Sequence, residues 1–275
     1  MKQSASGAWI GPAVVLGCFA ALLCAERLRP LRRRTEPAPR RQLRNLVLGA
    51  VSAATVAAVE APVTKRVTRA VEARRWGLVP RLGLPAPAAA LLTLALLDYT
   101  LYLWHVLLHR VPLLWRAHLV HHADLDLDAT TAVRFQAAEL LASVPWRAGQ
   151  VVLIGVPQRL LRCWGLLTLA EVMFHHANLR LPPALEQRLS RWIVTPRLHG
   201  IHHSMCAAHQ QANLSSGLTL WDRLHGSHRC DVPQRELTIG LPAYRRPEQV
   251  RLGWCLTRPL RGPVRDEERP VAGAR

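Results

Sequence analysis

The spacing H-x-x-H-H occurs twice in this chain, at His118, His121 and His122 and again at His199, His202 and His203. A third cluster, His105 and His109, has the spacing i, i+4. On a helix, at about 100° per residue, His118 and His122 share a face one turn apart, with His121 to one side. His199, His202 and His203 repeat that pattern, and Asp98, Tyr102, His105 and His109 form one stripe. An i, i+4 pair of imidazoles can grip one metal ion while the intervening neighbour reaches a second. Eight imidazoles exceed what one ion can hold, and buried without metal they would leave many polar atoms unpaired. The economical reading is a dinuclear, His-rich metal site.

Competing uses of histidine fit less well. Zinc proteases need H-E-x-x-H, which this sequence lacks. No Cys falls within the clusters, against zinc fingers, iron–sulfur centres and thiolate haem. By ligand type alone imidazole suits iron, zinc and copper about equally. Two redox metals held by neutral imidazoles beside a membrane suit oxygen chemistry on an unreactive hydrocarbon. His209, His225 and His228 belong to no cluster and read as ordinary hydrogen-bonded residues. Asp98 and Glu171 lie within apolar stretches, where a charge is costly. They are expected either to orient an imidazole or to make a helix contact; Tyr102 reads as packing.

The clusters sit against a segregated apolar pattern. Trp9–Ala25, Leu46–Val63, Leu82–His109, Ala137–Val156 and Leu160–His175 are apolar and Arg crowds the gaps, so mean hydropathy is only +0.07. A helix needs about 20 apolar residues to cross hydrocarbon, which predicts an all-α, polytopic membrane protein with about four to five membrane helices. The net charge of +18 follows these gaps. With no nucleic-acid motif or aromatic stacking platform, it reads as membrane-flanking arginine, and no nucleic-acid partner is expected. The six Cys form no C-x-x-C pair and imply no disulfide framework. The first apolar stretch reads as a retained anchor, not a cleaved signal.

Glu26–Arg44 holds eight Arg and is expected on the cytoplasmic side. The first span then runs inward and the second outward, and Leu82–Leu97 returns to deliver His105 and His109 to the cytoplasmic face. Ala137–His175, broken at Gly155-Val156-Pro157, reads as a hairpin that dips out and back. Thr64–Arg81 carries six basic residues yet falls outside in this scheme, as an interfacial amphipathic segment or a sign that the second span does not cross. Residues 1–81 are read as an N-terminal membrane anchor, 82–226 as the catalytic domain, and 227–275 as a basic, flexible, solvated tail.

With these residues in hand, the chain resembles the fatty acid hydroxylase superfamily, also called the sterol desaturase family. The series D-x-x-x-Y-x-x-H-x-x-x-H is met by Asp98, Tyr102, His105 and His109. L-W-R-x-H-x-x-H-H is met by Leu114, Trp115, Arg116, His118, His121 and His122, and F-x-H-x-N by Phe174, His176 and Asn178. T-P-R-x-H-x-x-H-H is met by Thr195, Pro196, Arg197, His199, His202 and His203, and L-W-D-R-L by Leu220–Leu224. The similarity runs over roughly Leu92–Gly226.

The resemblance implies His176 as a ninth ligand, with His175 as the alternative, and a cap of cytoplasmic helices holding two iron ions (Fe2+/Fe3+) over the membrane helices. It implies molecular oxygen as co-substrate and hydroxylation of a fatty acid, sterol or isoprenoid lipid, or desaturation on the same scaffold. The electron donor is expected to be a separate ferredoxin or cytochrome b5-type protein, and the location an integral cell membrane with the metals on the cytoplasmic face. Asp98 is the candidate catalytic residue. The chain departs from the family where R-x-H-P is replaced by Arg134-Phe135-Gln136-Ala137, and N-Y-G by Asn213-Leu214-Ser215. A membrane protein that merely stores, senses or transports zinc or iron is the rival from another class.

Overall fold

The computed structural model describes residues 5–262 and Val264. Helix α1 (Ala5–Leu28) is followed by the arginine-rich connection, then α2 (Ala38–Thr55), a π-helical turn (Val56–Glu60) and α3 (Ala61–Arg74). These last three run on without a break, so the basic stretch from Thr64 continues the preceding apolar helix. Arg75, at φ 53°, ends α3 in the left-handed conformation. The short α4 (Leu78–Arg81) leads to α5 (Ala86–Arg110).

Only Val111 separates α5 from α6 (Pro112–His122), and Pro112 opens α6 where a missing N–H costs nothing. Helices α7 (Ala137–Ile154) and α8 (Gln158–His176) are separated by the expected break at residues 155–157. Gly155 stands at φ 88° and meets Gly77 backbone to backbone; a Cβ on Gly77 would overlap Gly155 N. Short helices follow: α9 (Pro183–Leu189), α10 (Pro196–His202), α11 (Ala207–Gln210), α12 (Leu220–Leu224) and α13 (Leu252–Thr257).

Two helical stretches among the described residues are long and apolar enough to cross a membrane. Ala38–Arg81 has a mean hydropathy of 1.8 over its best window and Ala86–Arg110 one of 1.6. Of the four to five expected, two are therefore found among the described residues on length and composition, and the first expected run, Trp9–Ala25, begins on residues that lie outside that count. Glu139 and Arg147 dilute the apolar run of α7, and Arg159, Arg162 and Glu171 that of α8. Exposed Val14, Leu16, Leu91, Leu153 and Leu167 nonetheless leave the outer faces of α1, α5, α7 and α8 apolar.

Two cores organise the chain. Val71, Val79, Leu97, Val151, Ile154, Val156 and Trp164 join α3, α5, α7 and α8. Trp115, Leu119, Ala123 and Leu125 meet Leu241, Tyr244, Val250 and Val264 in the second. That second core corrects the expectation of a solvated tail after residue 226. Ile239, Leu241, Tyr244, Val250 and Cys255 are buried, and Gly240 N donates to the His203 carbonyl at 3.0 Å. Turns and short helices bring these residues together at irregular spacing, so no period betrays them. The rest of the expected tail, residues 263 and 265–275, lies outside the described residues.

Segments 1–81 and 82–226 are joined by a buried ion network. Arg41 on α2 reaches Asp124 at 2.8 Å and also pairs with Asp128; all three side chains are fully buried. Arg44 adds Glu36 at 2.8 Å, and Arg134 donates to Asn45 at 2.8 Å. Burial alone would raise Asp124, but Arg41, Arg134 and Arg44 outweigh it and hold its carboxyl at about 2. The loop after His122 is thus moored to α2.

Candidate metal centre

Four helix ends converge. His105 and His109 close α5, His118, His121 and His122 close α6, His175 and His176 close α8, and His199 and His202 lie on α10 with His203 just after it. All ten are buried. Thr195 caps α10, its hydroxyl accepting from Leu198 N at 3.4 Å, and Pro196 starts the helix.

The imidazoles divide into two groups. His105, His109, His122 and His202 bring one ligand atom each to within 4.8 Å of one another, as do His121, His176, His199 and His203. The His122 and His203 rings, one from each group, stack at 4.3 Å and 11°. Eight of the nine histidines expected from sequence therefore fall into two tetrads. The ninth, His118, sits between them, its ring 5.0 Å from that of His122 and 5.1 Å from that of His121. His175 lies outside both tetrads with its ring 4.0 Å from His199. Gln136 donates to the Cys255 carbonyl and belongs to neither.

Hydrogen bonds fix which nitrogen five of the rings turn inward. Nδ1–H donates to the Leu214 carbonyl from His105 at 2.7 Å, to the Val172 carbonyl from His176 at 2.7 Å and to the Ala212 carbonyl from His202 at 2.9 Å. His118 Nδ1 meets the Glu139 carboxylate at 3.2 Å and His175 Nδ1 the Ser216 carbonyl at 3.0 Å. A ring that donates through Nδ1 carries its lone pair on Nε2, the form a metal requires. Those lone pairs face one another: His176 Nε2 is 3.1 Å from His121 Nε2 and 3.0 Å from His199 Nε2. His118 Nε2, His202 Nε2 and both nitrogens of His109, His122 and His203 are buried without a partner. Burial first, and then neighbouring imidazoles, hold His121, His122, His199, His202 and His203 well below the ordinary value of 6.5. Neutral, convergent and otherwise unsatisfied nitrogens fit a pair of soft-to-borderline cations.

Asp98 does not orient an imidazole directly. Its Oδ2 accepts from Leu218 N at 3.0 Å and from the Trp221 indole at 2.7 Å. Asp222 accepts from Leu214 N at 2.8 Å and Ser215 N at 3.0 Å. Together they pin the loop whose carbonyls hold His105 and His175, which gives the L-W-D-R-L block a structural task. Glu139 and the carbonyls of Ala212, Leu214 and Ser216 are site groups that the sequence did not single out. Only a carboxylate inside an apolar helix could have signalled Glu139, and backbone carbonyls leave no sequence signal.

An apolar cavity of about 410 Å³ adjoins the cluster, lined by Leu101, Trp104, Leu140, Trp164 and Val172 as well as His118, His121, His176 and His199. Its polar features include Ser143, Thr168, Glu139, Arg162 and the pair Glu60–Arg147, 3.6 Å apart, with the Arg147 guanidinium 4.3 Å over the Trp164 ring. The π-helical turn carries Glu60 into this lining, a frequent use of such turns.

Comparison with known proteins agrees with this geometry. The chain is 30% identical over 159 residues to the ornithine lipid hydroxylase OlsE of Rhizobium tropici, a match covering 57% of this chain and 46% of that protein. It is 26% identical over 151 residues to the alkylglycerol monooxygenase of Xenopus tropicalis, covering 54% and 31%. It is 30% identical over 154 residues to human cholesterol 25-hydroxylase, covering 53% of each. The chain thus spans about half or less of the length of these relatives. No solved structure matches. The sequence model of the family described as fatty acid hydroxylase matches residues 90–227, from α5 through the end of the L-W-D-R-L block and half of the whole, and the chain belongs to the fatty acid hydroxylase family.

Proposed function

We propose that this protein is an oxygen-dependent lipid hydroxylase that uses two iron ions to oxidise an unactivated C–H bond of a fatty acid, sterol or isoprenoid lipid. The observation that carries this reading is the contact between two tetrads of convergent, neutral histidines and an apolar cavity. His105, His109, His122 and His202 would hold one ion, and His121, His176, His199 and His203 the other, with His118 available to either. When bound, the pair would supply the redox chemistry that activates oxygen. The chain's own part is to fix the imidazole tautomers through carbonyl and Glu139 acceptors, to exclude water and to align a hydrocarbon chain against the cluster. The relatives are named for oxidation of an ornithine lipid, an alkylglycerol and cholesterol, and lipid is the chemistry they share.

In this reading Ala38–Arg81 and Ala86–Arg110 cross an integral cell membrane, and the arginine-rich connection after α1 keeps the metal-bearing helices cytoplasmic. Electrons come from a separate carrier. The test is to load purified protein anaerobically with ferrous iron, add a reductant and lipid extract, and admit oxygen. Oxygen uptake with a lipid product heavier by one oxygen atom is expected. Tight metal without uptake would instead identify a metal-binding protein.

A further inference from the structure

A second, larger cleft of about 1270 Å³ lies on the other side of α10 from the lipid cavity and shares no lining residue with it. Eight arginines and three carboxylates line it. The three carboxylates lie close enough to Arg32 to favour its charge, but they spend their hydrogen bonds on other groups and leave the arginines in excess. Asp126 accepts from Thr35 N and Glu36 N, Glu26 from Ala129 N and Asn178 N, and Glu186 from the Thr195 hydroxyl. Among the described residues no carboxylate lies within ion-pair distance of Arg27, Arg29, Arg33, Arg34, Arg180 or Arg197. At the cleft floor Arg32 donates to Gln234 and to the Pro196 carbonyl, while its Nε and Nη2 are buried without a partner. A surface this basic and this poorly neutralised calls for an external polyanion.

The position of the cleft narrows the choice. Arg197 lies two residues before His199 on the same helix, and Asn178, which clasps the Arg32 backbone in both directions, lies two residues after His176. Gly200 presses its backbone on the Arg32 guanidinium so closely that a Cβ there would overlap it. The cleft wall and the imidazoles are therefore opposite faces of one helix, about 10 Å apart. Hydroxylation puts one atom of O2 into a C–H bond and releases the other as water, consuming two electrons and two protons that the lipid does not supply. A carrier of those electrons must approach the metals from a side the lipid does not occupy.

We propose that this arginine cleft behind α10 is the docking surface for an acidic one-electron carrier protein, which delivers two electrons in successive encounters. The proposal rests on the hydroxylase reading, and its test separates the two. An acidic [2Fe–2S] ferredoxin is the probe, titrated onto the metal-free full chain in nanodiscs of uncharged lipid by surface plasmon resonance. Binding is expected to weaken steeply with salt, and Arg33→Glu, Arg180→Glu and Arg235→Glu together are expected to weaken it about tenfold or more, mainly through the association rate. In iron-loaded protein the same triple variant should slow optical reduction by ferredoxin while leaving reduction by dithionite unchanged. Wild-type binding that is indifferent to salt, or variant binding equal to wild type, overturns the proposal. So does a variant that keeps ferredoxin but loses anionic vesicles, which would assign the cleft to the membrane surface. Failure of the hydroxylase reading would show separately, as iron that is reduced but never oxidises lipid.

Discussion

The Glu139 carboxylate on α7 meets Nδ1 of His118 on α6 at 3.2 Å, with both side chains buried and the second carboxylate oxygen unpartnered. An acidic acceptor on Nδ1 fixes the tautomer and raises the basicity of Nε2, which stands between the two tetrads. Glu139→Ala is expected to lower iron affinity by about 10- to 100-fold, with Glu139→Gln intermediate. Iron content after chelator competition, alongside helicity by circular dichroism, would check it. Unaltered iron retention in the alanine variant would remove Glu139 from the site.

How much of this was legible beforehand depends on where the information resides. The histidines were readable because imidazole is rare and the i, i+4 spacing puts pairs on one face. Their sorting into tetrads was not, since His122 and His202 join His105 only through packing of helix ends distant in sequence. The acceptors on Leu214, Ser216 and Ala212 are main-chain atoms, invisible to side-chain reasoning. Asp98 stood out as a charge inside an apolar stretch, but its partners, Leu218 N and Trp221, became visible only in the fold. The second core was missed because Leu241, Tyr244, Val250 and Cys255 follow no helical or strand period.

Asp222 accepts two adjacent backbone N–H groups and also the Ser227 hydroxyl at 2.7 Å. Asp222→Ala would strand these donors in a buried loop, at about 1–3 kcal/mol for an unsatisfied group. Because Leu214 supplies the acceptor for His105, metal loading should fall together with thermal stability. Asp222→Asn keeps acceptor capacity and should recover part of both. Metal content per chain and the apparent Tm would be measured together, and a loss of stability with full metal loading would separate the loop from the site.

Arg41 is fully buried against Asp124 and Asp128. Removing one partner of such a network leaves an uncompensated charge, typically at about 3–5 kcal/mol. Arg41→Met should therefore destabilise the protein sharply, and Arg41→Met with Asp128→Asn should destabilise it less than the single change. Denaturant midpoints in detergent test this. A double variant weaker by the sum of its parts would show that the two residues act independently.

The buried histidines also set a pH dependence. His121, His122, His199, His202 and His203 lie well below 6.5 when folded, because burial and then neighbouring imidazoles oppose the charge. Once the chain unfolds they return to their ordinary value. Below pH 6.5 the unfolded state therefore binds more protons, and stability falls as pH falls, by about 1.4 kcal/mol per pH unit for each such group. The apparent Tm of metal-free protein should hold steady from pH 8 to 7 and drop between 6.5 and 5. A flat profile over that lower range would contradict the neutral, buried cluster.

Ser143 stands one helical turn from both Glu139 and Arg147 on α7, within the cavity lining. Its hydroxyl donates to the Leu140 carbonyl on its own helix, so no outside partner loses a bond when it is replaced. Ser143→Phe should fill the space beside the His cluster at a packing cost of about 1–3 kcal/mol, leaving iron content intact. If this cavity receives the lipid, oxidation of lipid should fall by more than tenfold, through a raised KM. Small reductants should still reduce the iron, since the obstruction lies on the lipid side. Full lipid oxidation by a folded, iron-replete Ser143→Phe protein would place the substrate elsewhere.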